Sequence, residues 1–242
     1  MTLDGRRVLV MGGSSGIGEA SAALFAQQGA EVVITGRDEG RLAETAARIG
    51  GKVAFRQVDG TSDEAVRDFF AQEGAYDHLV LALSGGSGAG PFATLDLEQL
   101  RGGFEGKFWV HVRILQAALP RLREHGSATL ITASSARAAL PGTAGLAAIN
   151  GALEAMIRPL ATELAPLRVN AVSPGIIATP WWDKVPAQQR EAMFAEHAAA
   201  LPVGRVGQAE DVAQAVLLAA TNAFMTGQVI EVNGGLSLAT GR

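Results

Sequence analysis

The chain has 242 residues, of which 48% are hydrophobic, and its formal net charge is −4 at pH 7. This size and composition predict a folded α/β domain with one large core, and the negative charge argues against a nucleic-acid partner. Because the sequence contains no cysteine, disulfides, thiolate metal sites and cysteine nucleophiles are excluded. No apolar run reaches the roughly 18 residues of a membrane helix, so we expect no membrane partner and a cytoplasmic location.

Short β-branched runs alternate with longer Ala- and Leu-rich segments of helical period along the chain. The predicted strands are Arg7–Met11, Glu31–Thr35, Lys52–Val58, His78–Leu83, Ala128–Ala133, Arg168–Ser173 and Gln228–Val232. The predicted helices lie near 16–29, 39–49, 62–73, 95–123, 143–164 and 208–220. This alternation is typical of a doubly wound α/β fold, with about seven mostly parallel strands and helices on both faces.

No repeat or linker divides the chain, so we expect a single domain over residues 1–242. A polar helical stretch at about 180–201 is not needed by the sheet, and it is predicted to be a lid-like insert. Trp181 and Trp182 open this stretch. They fit either a cover over a substrate or an anchor of the insert to the core.

A glycine-rich loop, Gly12-Gly13-Ser14-Ser15-Gly16-Ile17-Gly18, follows the first predicted strand and opens the first helix. Gly12 would allow a tight turn, Gly16 the approach of a pyrophosphate, and Gly18 close packing of the helix on the sheet. The free N–H groups at the helix start would bind phosphate, with Ser14, Ser15 and Ile17 as further contacts. In this position the loop predicts a Rossmann-type dinucleotide site. An ordinary glycine-rich turn is the alternative.

The same loop also matches the Gly-x-Ser-x-Gly nucleophile elbow of hydrolases, through Gly12, Ser14 and Gly16. A hydrolase of this type also needs an acidic residue and then a histidine late in the chain. Only His197 is late, and it lies in the polar insert. A coincidence of spacing is therefore the better interpretation.

The second predicted strand ends Thr35-Gly36-Arg37, without the acidic residue that would bind a ribose 2′-hydroxyl. The Arg37 guanidinium suits a 2′-phosphate in charge and geometry, so the predicted cofactor is NADP(H). A solvated surface arginine is the alternative. Asp38, which follows, is predicted to be the N-cap of the second helix. Asp59, after the third strand, fits either the adenine edge or a plain turn.

Over its whole length the chain resembles the short-chain dehydrogenase/reductase superfamily. The shared motifs are Gly-x3-Gly-x-Gly at 12–18, Asp59, and the segments 169–175 (VNAVSPG), 226–230 (TGQVI) and 233–235 (NGG). The resemblance implies an oxidoreductase that acts on a small molecule. It also implies a homodimer or homotetramer, paired through the helix at 143–164. The further cofactor contacts that it implies are Ser84, Gly85, Pro174 and Gly175, with the backbone around Ile177 and the Thr179 hydroxyl at the nicotinamide carboxamide.

The catalytic part of that resemblance is altered. The family uses Asn, Ser, Tyr and Lys, the last two as Tyr-x3-Lys, but here Leu146 and Asn150 fall at the Tyr and Lys positions. The single tyrosine is Tyr76, and none of the three lysines lies four residues after it, so the motif is absent from the sequence. Lys107 falls where the family's asparagine lies, and Ser134 at or beside its serine.

These departures predict an atypical active site. Lys107 could donate the proton once a buried environment lowers its pKa, and Ser134 could polarise a carbonyl oxygen. Asn150 completes the catalytic candidates, although a structural or ribose-binding role suits it better. Lys107 could instead bind the ribose or a buried carbonyl without transferring protons. His111, on the same helix face, is expected to be packed, and the four histidines predict no metal site.

The sequence therefore predicts an NADP(H)-dependent oxidoreductase that transfers hydride to a small carbonyl, enone or imine. The main alternative is an NADP(H)-binding protein without turnover, such as a sensor or a structural subunit. A non-redox enzyme on the same fold is a third possibility, because fold alone does not determine function.

Overall fold

The computed structural model describes residues 2–238. In chain order the strands are β1 (Arg7–Met11), β2 (Glu31–Gly36), β3 (Val53–Gln57), β4 (Tyr76–Leu81), β5 (Leu122–Ile131), β6 (Arg168–Pro174), β7 (Ile177–Ala178), β8 (Gly207–Gln208) and β9 (Val229–Val232). Seven of them form one parallel sheet in the order β3-β2-β1-β4-β5-β6-β9, and β7 pairs separately with β8. The predicted doubly wound fold is confirmed.

Eight α-helices connect the strands of the described chain. They are α1 (Gly16–Gln27), α2 (Glu39–Ile49), α3 (Asp63–Gln72), α4 (Leu97–Gly103), α5 (Val110–Ala118), α6 (Ala144–Glu163), α7 (Ala187–Ala200) and α8 (Ala209–Thr221). A π-helical turn, Phe104–Trp109, joins α4 to α5. Asp38 caps α2 as predicted, because its Oδ1 accepts a hydrogen bond from the Arg41 backbone N–H at 3.0 Å.

Side chains on alternate residues of β1 enter two separate cores, as the period of a strand requires. Val8 and Val10 pack with buried residues of α1, α2 and α8 on one face of the sheet. Leu9 and Met11 pack with buried residues of α3, α5 and α6 on the other. All seven parallel strands end at one edge, and the strand order reverses between β1 and β4, where this architecture binds ligands.

The segment between β4 and β6 departs from the sequence prediction. The predicted continuous helix over 95–123 is wrong, because the π-helical turn interrupts it and β5 already begins at Leu122. The strand predicted at Ala128–Ala133 exists, but it is only the last part of β5. Leu122 already pairs with Tyr76 of β4, and the register then shifts before Ser127 pairs with His78. Gly126 permits this path, because a Cβ there would collide with the Asp77 carbonyl. The other predicted strands and sheet-connecting helices have bounds within two residues of the observed ones, whereas the helix of the polar stretch at about 180–201, α7, begins only at Ala187.

Two buried histidines should make the fold sensitive to acid. Burial lowers the pKa of both His78 and His111 to about 4, below the value of about 6.5 in an unfolded chain. Between these values the unfolded state binds more protons, so the free energy of unfolding should fall as the pH drops from about 6.5 toward about 4. The expected loss is on the order of 3 kcal/mol for each histidine.

Urea unfolding between about pH 7 and about pH 5 captures about 2 kcal/mol of this loss for each histidine. His78→Gln should flatten the pH dependence, whereas His125→Gln, at an exposed position, should leave it unchanged. Equal slopes for the unmodified protein and His78→Gln would contradict this assignment of the acid sensitivity.

Candidate active site

The loop between β1 and α1 has the backbone conformation that its glycines predict. Gly12 has φ +85°, and a Cβ there would lie 2.8 Å from the Ala82 carbonyl oxygen. A Cβ on Gly18 would collide with the Gly12 carbonyl, so the helix start packs against the turn with no room for a side chain. Gly16, at φ +53°, faces the Thr179 side chain across the loop.

The start of α1 leaves backbone donors available to a ligand. Ser15 is the N-cap residue, but its side chain accepts no capping hydrogen bond. The first-turn N–H groups therefore point to the carboxyl edge of the sheet, with the positive end of the helix dipole behind them. This cradle of glycines and free N–H groups fits a dinucleotide diphosphate.

Gly18→Ala should destabilise the fold, because its methyl group would overlap the Gly12 carbonyl. Overpacking of this kind costs about 1–3 kcal/mol, and urea unfolding measures it. Gly151→Ala is the matched control: it lies inside α6 with nothing within 4 Å of the added methyl group, so it should be neutral or stabilising. Equal stabilities of the two variants would contradict the close packing at Gly18.

Arg37 and Asp59 lie together at the ends of β2 and β3. Asp59 Oδ1 accepts hydrogen bonds from the Thr61 backbone N–H at 2.9 Å and the Thr61 hydroxyl at 2.7 Å. These two bonds, with the positive charge of Arg37 as a smaller cause, lower the pKa of Asp59. The Arg37 side chain is exposed, and it forms no ion pair with a described residue, which leaves its guanidinium available to a phosphate.

Lys107 lies in the π-helical turn, at the carboxyl end of the sheet. Its Cβ packs 3.2 Å from the position that a Cβ on Gly85 would take, while Ser84 is exposed to solvent. Lys107 is only 8% exposed, and its Nζ donates a hydrogen bond to the Thr132 carbonyl oxygen at 3.2 Å. Burial lowers the pKa of Lys107 to about 8, against the opposing effect of the Glu154 carboxylate.

Ser134 and Asn150, the two other catalytic candidates, are also buried. Ser134 Oγ donates to the Ser173 carbonyl oxygen at 3.3 Å. Asn150 Nδ2 donates to Ser135 Oγ at 3.1 Å and to the Leu146 carbonyl oxygen at 2.9 Å, and no described residue forms a hydrogen bond with its Oδ1. Lys107 and Ser134 are thus bound to the ends of neighbouring strands β5 and β6, whereas Asn150 ties α6 to the turn after β5.

The residues at and after the end of β6 pack against the end of β9. Gly175 donates its N–H to the Val232 carbonyl at 3.0 Å, and a Cβ there would lie 2.7 Å from Asn233 Cα. Pro174, the last residue of β6, pairs with Val232. The Ile177 carbonyl accepts a hydrogen bond from Trp182 Nε1 at 2.9 Å, so this carbonyl is already engaged.

Trp182 anchors the polar insert at about 180–201 to the rest of the fold, whereas Trp181 is exposed to solvent. Besides the hydrogen bond to Ile177, Trp182 packs edge-on against Trp181 and Phe194, with centroid separations of 4.6 and 5.9 Å. Trp181 is 36% exposed, and Lys184 Nζ lies 4.0 Å from the centroid of its ring. α7 itself contains no buried residue. Of the two roles that the sequence left open, Trp182 has that of the anchor.

The only tyrosine of the sequence lies far from these residues. Tyr76 is the first residue of β4, at the amino edge of the sheet, and its hydroxyl donates to Glu73 Oε2. Burial, together with Glu73, raises the pKa of this hydroxyl. A six-residue strand separates it from the carboxyl edge by about 17 Å. Tyr76 therefore has no access to the groups around Lys107.

Sequence reasoning missed two charged residues of the site. Glu154 contacts Thr132 and Ser173, and Arg137 binds Glu154. The available signal was the first charged residue of α6, a carboxylate four residues after Asn150. Within residues 2–238, no group of three or more His, Asp or Glu side chains is placed to hold a metal ion.

No helix of the described chain is long and apolar enough to cross a membrane.

Within residues 2–238, no histidine forms a hydrogen bond with Ser14, and the Ser14 carbonyl instead accepts one from Thr45. The site thus lacks the arrangement that a serine hydrolase requires.

Comparison with known proteins agrees with this architecture. The family described as "Enoyl-(Acyl carrier protein) reductase" matches residues 12–237. The 3-oxoacyl-[acyl-carrier-protein] reductase FabG of Thermotoga maritima is 30% identical over 98% of this chain and 99% of its own length. Glucose 1-dehydrogenase of Gluconobacter oxydans is 33% identical over 97% of this chain and 92% of its own.

Solved structures extend the likeness to three dimensions. A small-chain dehydrogenase in complex with NADPH is 34% identical, with a TM-score of 0.84, and the match covers 97% of this chain and all of the other. A protein described as belonging to the short chain dehydrogenase/reductase family is also 34% identical, with a TM-score of 0.84 over 98% of this chain and all of its own. The family match, the curated relatives and the sheet order agree, and this chain belongs to the short-chain dehydrogenase/reductase superfamily of oxidoreductases.

Proposed function

We propose that this protein is an NADP(H)-dependent oxidoreductase that reduces a small carbonyl, enone or imine substrate, with Lys107 as its proton donor. The observation that carries the proposal is the position of Lys107. Its Cβ packs beside Gly85, and its buried ammonium group binds the Thr132 carbonyl at the carboxyl edge of the sheet, with its pKa lowered to about 8. A general acid works best when its pKa is close to the working pH.

Two features support the choice of NADP(H) as the cofactor, one at the start of α1 and one at the end of β2. The glycine loop and the free N–H groups of α1 fit a diphosphate. Arg37, whose guanidinium has no ion pair among the residues of the described range, lies where a 2′-phosphate would be bound. A similar small-chain dehydrogenase was solved with NADPH. The bound reduced nicotinamide supplies the hydride.

The chain's own residues then handle the proton and the substrate. At neutral pH Lys107 is mostly protonated, so it can donate to the oxygen or nitrogen atom that gains negative charge. Ser134 can turn from the Ser173 carbonyl to donate a hydrogen bond to the same atom. Asn150 keeps a structural role, because its amide joins α6 to Ser135. Trp181 lies exposed in the insert, where it would border the substrate.

The alternative is a protein that binds NADP(H) without turnover. It is favoured by the fact that Lys107 and Ser134 both donate to backbone carbonyls of their own sheet. Each group would have to exchange that partner for the substrate during catalysis.

A substrate screen decides between these two functions. Oxidation of NADPH would be followed with ketones, diketones, quinones, enones and imines, because the relatives include both an acyl-carrier-protein reductase and a sugar dehydrogenase. Turnover of one class, reduced in Ser134→Ala, supports the enzyme. Tight NADPH binding without turnover of any class would establish the alternative.

A further inference from the structure

A single buried carboxylate connects the strands that hold the proposed catalytic groups. The Glu154 side chain, on α6, is 8% exposed. Its Oε1 accepts hydrogen bonds from the hydroxyls of Thr132 and Ser173, each at 2.9 Å, and the Thr132 hydroxyl has the Val172 carbonyl as a longer partner at 3.3 Å. Its Oε2 accepts from Arg137 Nε at 2.9 Å. Both carboxylate oxygens are therefore satisfied by residues from other elements.

The two hydroxyl residues bound by Glu154 are the same two that hold Lys107 and Ser134. Lys107 Nζ donates to the Thr132 carbonyl, and Ser134 Oγ donates to the Ser173 carbonyl. Each proposed catalytic group is thus one residue removed from Glu154 Oε1. Glu154 therefore links the two residues whose backbone carbonyls hold Lys107 and Ser134.

The charges around Lys107 come from three parts of the fold. Glu154 on α6 faces it, and behind Glu154 the half-exposed Arg137 also binds Glu231 of β9 at 3.2 Å. His111, one helical turn further on, is neutral above about pH 5, because burial lowers its pKa to about 4. Glu154 therefore provides the opposite charge that counters the effect of burial on the pKa of Lys107.

A buried carboxylate is costly to a fold unless hydrogen bonds and opposite charges compensate it. We propose that Glu154 is a positioning residue, which places Lys107 and Ser134 through Thr132 and Ser173 and keeps Lys107 protonated at neutral pH. The catalytic meaning of this inference rests on the proposed function, whereas the charge coupling between Glu154 and Lys107 does not require turnover.

The coupling can be measured without any substrate. The sequence contains three lysines, so ¹³Cε-lysine labelling gives three resonances, and the one absent from Lys107→Met identifies Lys107. In the unmodified protein this resonance should titrate with a midpoint of about 8. Glu154→Gln keeps the shape and removes the charge, and it should move the midpoint by about one pH unit toward acid.

Two further variants show whether the effect is specific to Glu154. Arg137→Gln removes the partly exposed cation beside Glu154, so the midpoint should move toward alkaline pH; this variant also tests the coupling if Glu154→Gln fails to fold. Glu231→Gln removes a carboxylate that binds the same arginine without touching Thr132 or Ser173, and it should leave the midpoint within a few tenths of a pH unit.

Once a substrate is known, the rate should show the same pattern. Reduction by Glu154→Gln should be about fivefold slower than by the unmodified protein at about pH 8, and nearly as fast at about pH 6, where Lys107 is protonated in both. A merely structural role of Glu154 would lower the rate at both pH values alike.

Opposite shifts of the Lys107 midpoint in Glu154→Gln and Arg137→Gln, with no shift in Glu231→Gln, would support the positioning role. This support holds even if no substrate is reduced, a result that would contradict only the proposed function. An unchanged midpoint in Glu154→Gln and in Arg137→Gln would overturn it. So would an equal shift in Glu231→Gln. Either result would leave the reductase assignment itself intact.

Discussion

Lys107→Met should slow the reduction of a ketone or imine by about 10²–10⁴-fold, which is the usual contribution of a positioned general acid. Methionine fills a similar volume but has no proton to donate. Ser134 is too weak an acid to replace Lys107, and Tyr76 lies at the opposite edge of the sheet. The variant removes a positive charge that faces Glu154 and leaves Arg137 as the ion-pair partner of that carboxylate, so its stability should be measured by urea unfolding in parallel.

The direction of the pH dependence tests whether Lys107 is the proton donor. Lys107 must be protonated to donate, so the rate of the unmodified enzyme should fall as the pH rises through about 8. That decrease should be absent from the residual rate of Lys107→Met. Steady-state rates with saturating NADPH, measured from about pH 6 to about pH 9.5, report both effects.

Lys52→Met is the matched control, because Lys52 is an exposed lysine whose only ion pair within residues 2–238 is with Glu31, at 4.0 Å. It should keep the full rate and the unmodified pH profile. Normal NADPH binding together with an unreduced rate in Lys107→Met would remove Lys107 from the chemistry and leave a water molecule or the substrate itself as the proton source.

The sheet and the phosphate loop could be predicted because their requirements are local. Alternating β-branched runs define the strands, and three glycines at fixed spacing define the turn, since only glycine fits where Gly12 and Gly18 lie. Asp38 was likewise predictable as a cap from its place before α2. In each case the signal and the structure that it causes lie within a few residues of each other.

The interior of the site could not be predicted in this way. The π-helical turn around Lys107 depends on packing against Gly85, a residue 22 positions earlier in the chain. The early start of β5 depends on Asp77 and Tyr76, across the sheet. Sequence alone offered Lys107 as a candidate by elimination, but its partner Glu154 becomes visible only when β5, β6 and α6 are brought together.

Arg37→Ala should weaken NADPH binding by about 10–150-fold and leave NADH binding nearly unchanged. Removal of one charge-assisted hydrogen bond costs about 1.5–3 kcal/mol, and each 1.4 kcal/mol is a factor of ten in affinity. NADH has no 2′-phosphate, so it loses nothing when the guanidinium is removed. Affinities from fluorescence titration of both cofactors against both proteins measure the difference, which should shrink as salt is added.

The surroundings of Arg37 explain why the effect should be large. Asp59 is held by two hydrogen bonds from Thr61, so its carboxylate lies close enough to attract the guanidinium without pairing with it. A bound phosphate therefore has no ion pair to break. Arg48→Ala is the control: it removes an arginine of α2, the helix that follows Arg37, whose ion pair is with Glu19, and it should leave both affinities unchanged. Equal affinities of the unmodified protein for NADPH and NADH would contradict the NADP(H) assignment. An equal loss of NADPH affinity in Arg48→Ala would show that the effect comes from the net charge of the protein and not from a contact with the 2′-phosphate.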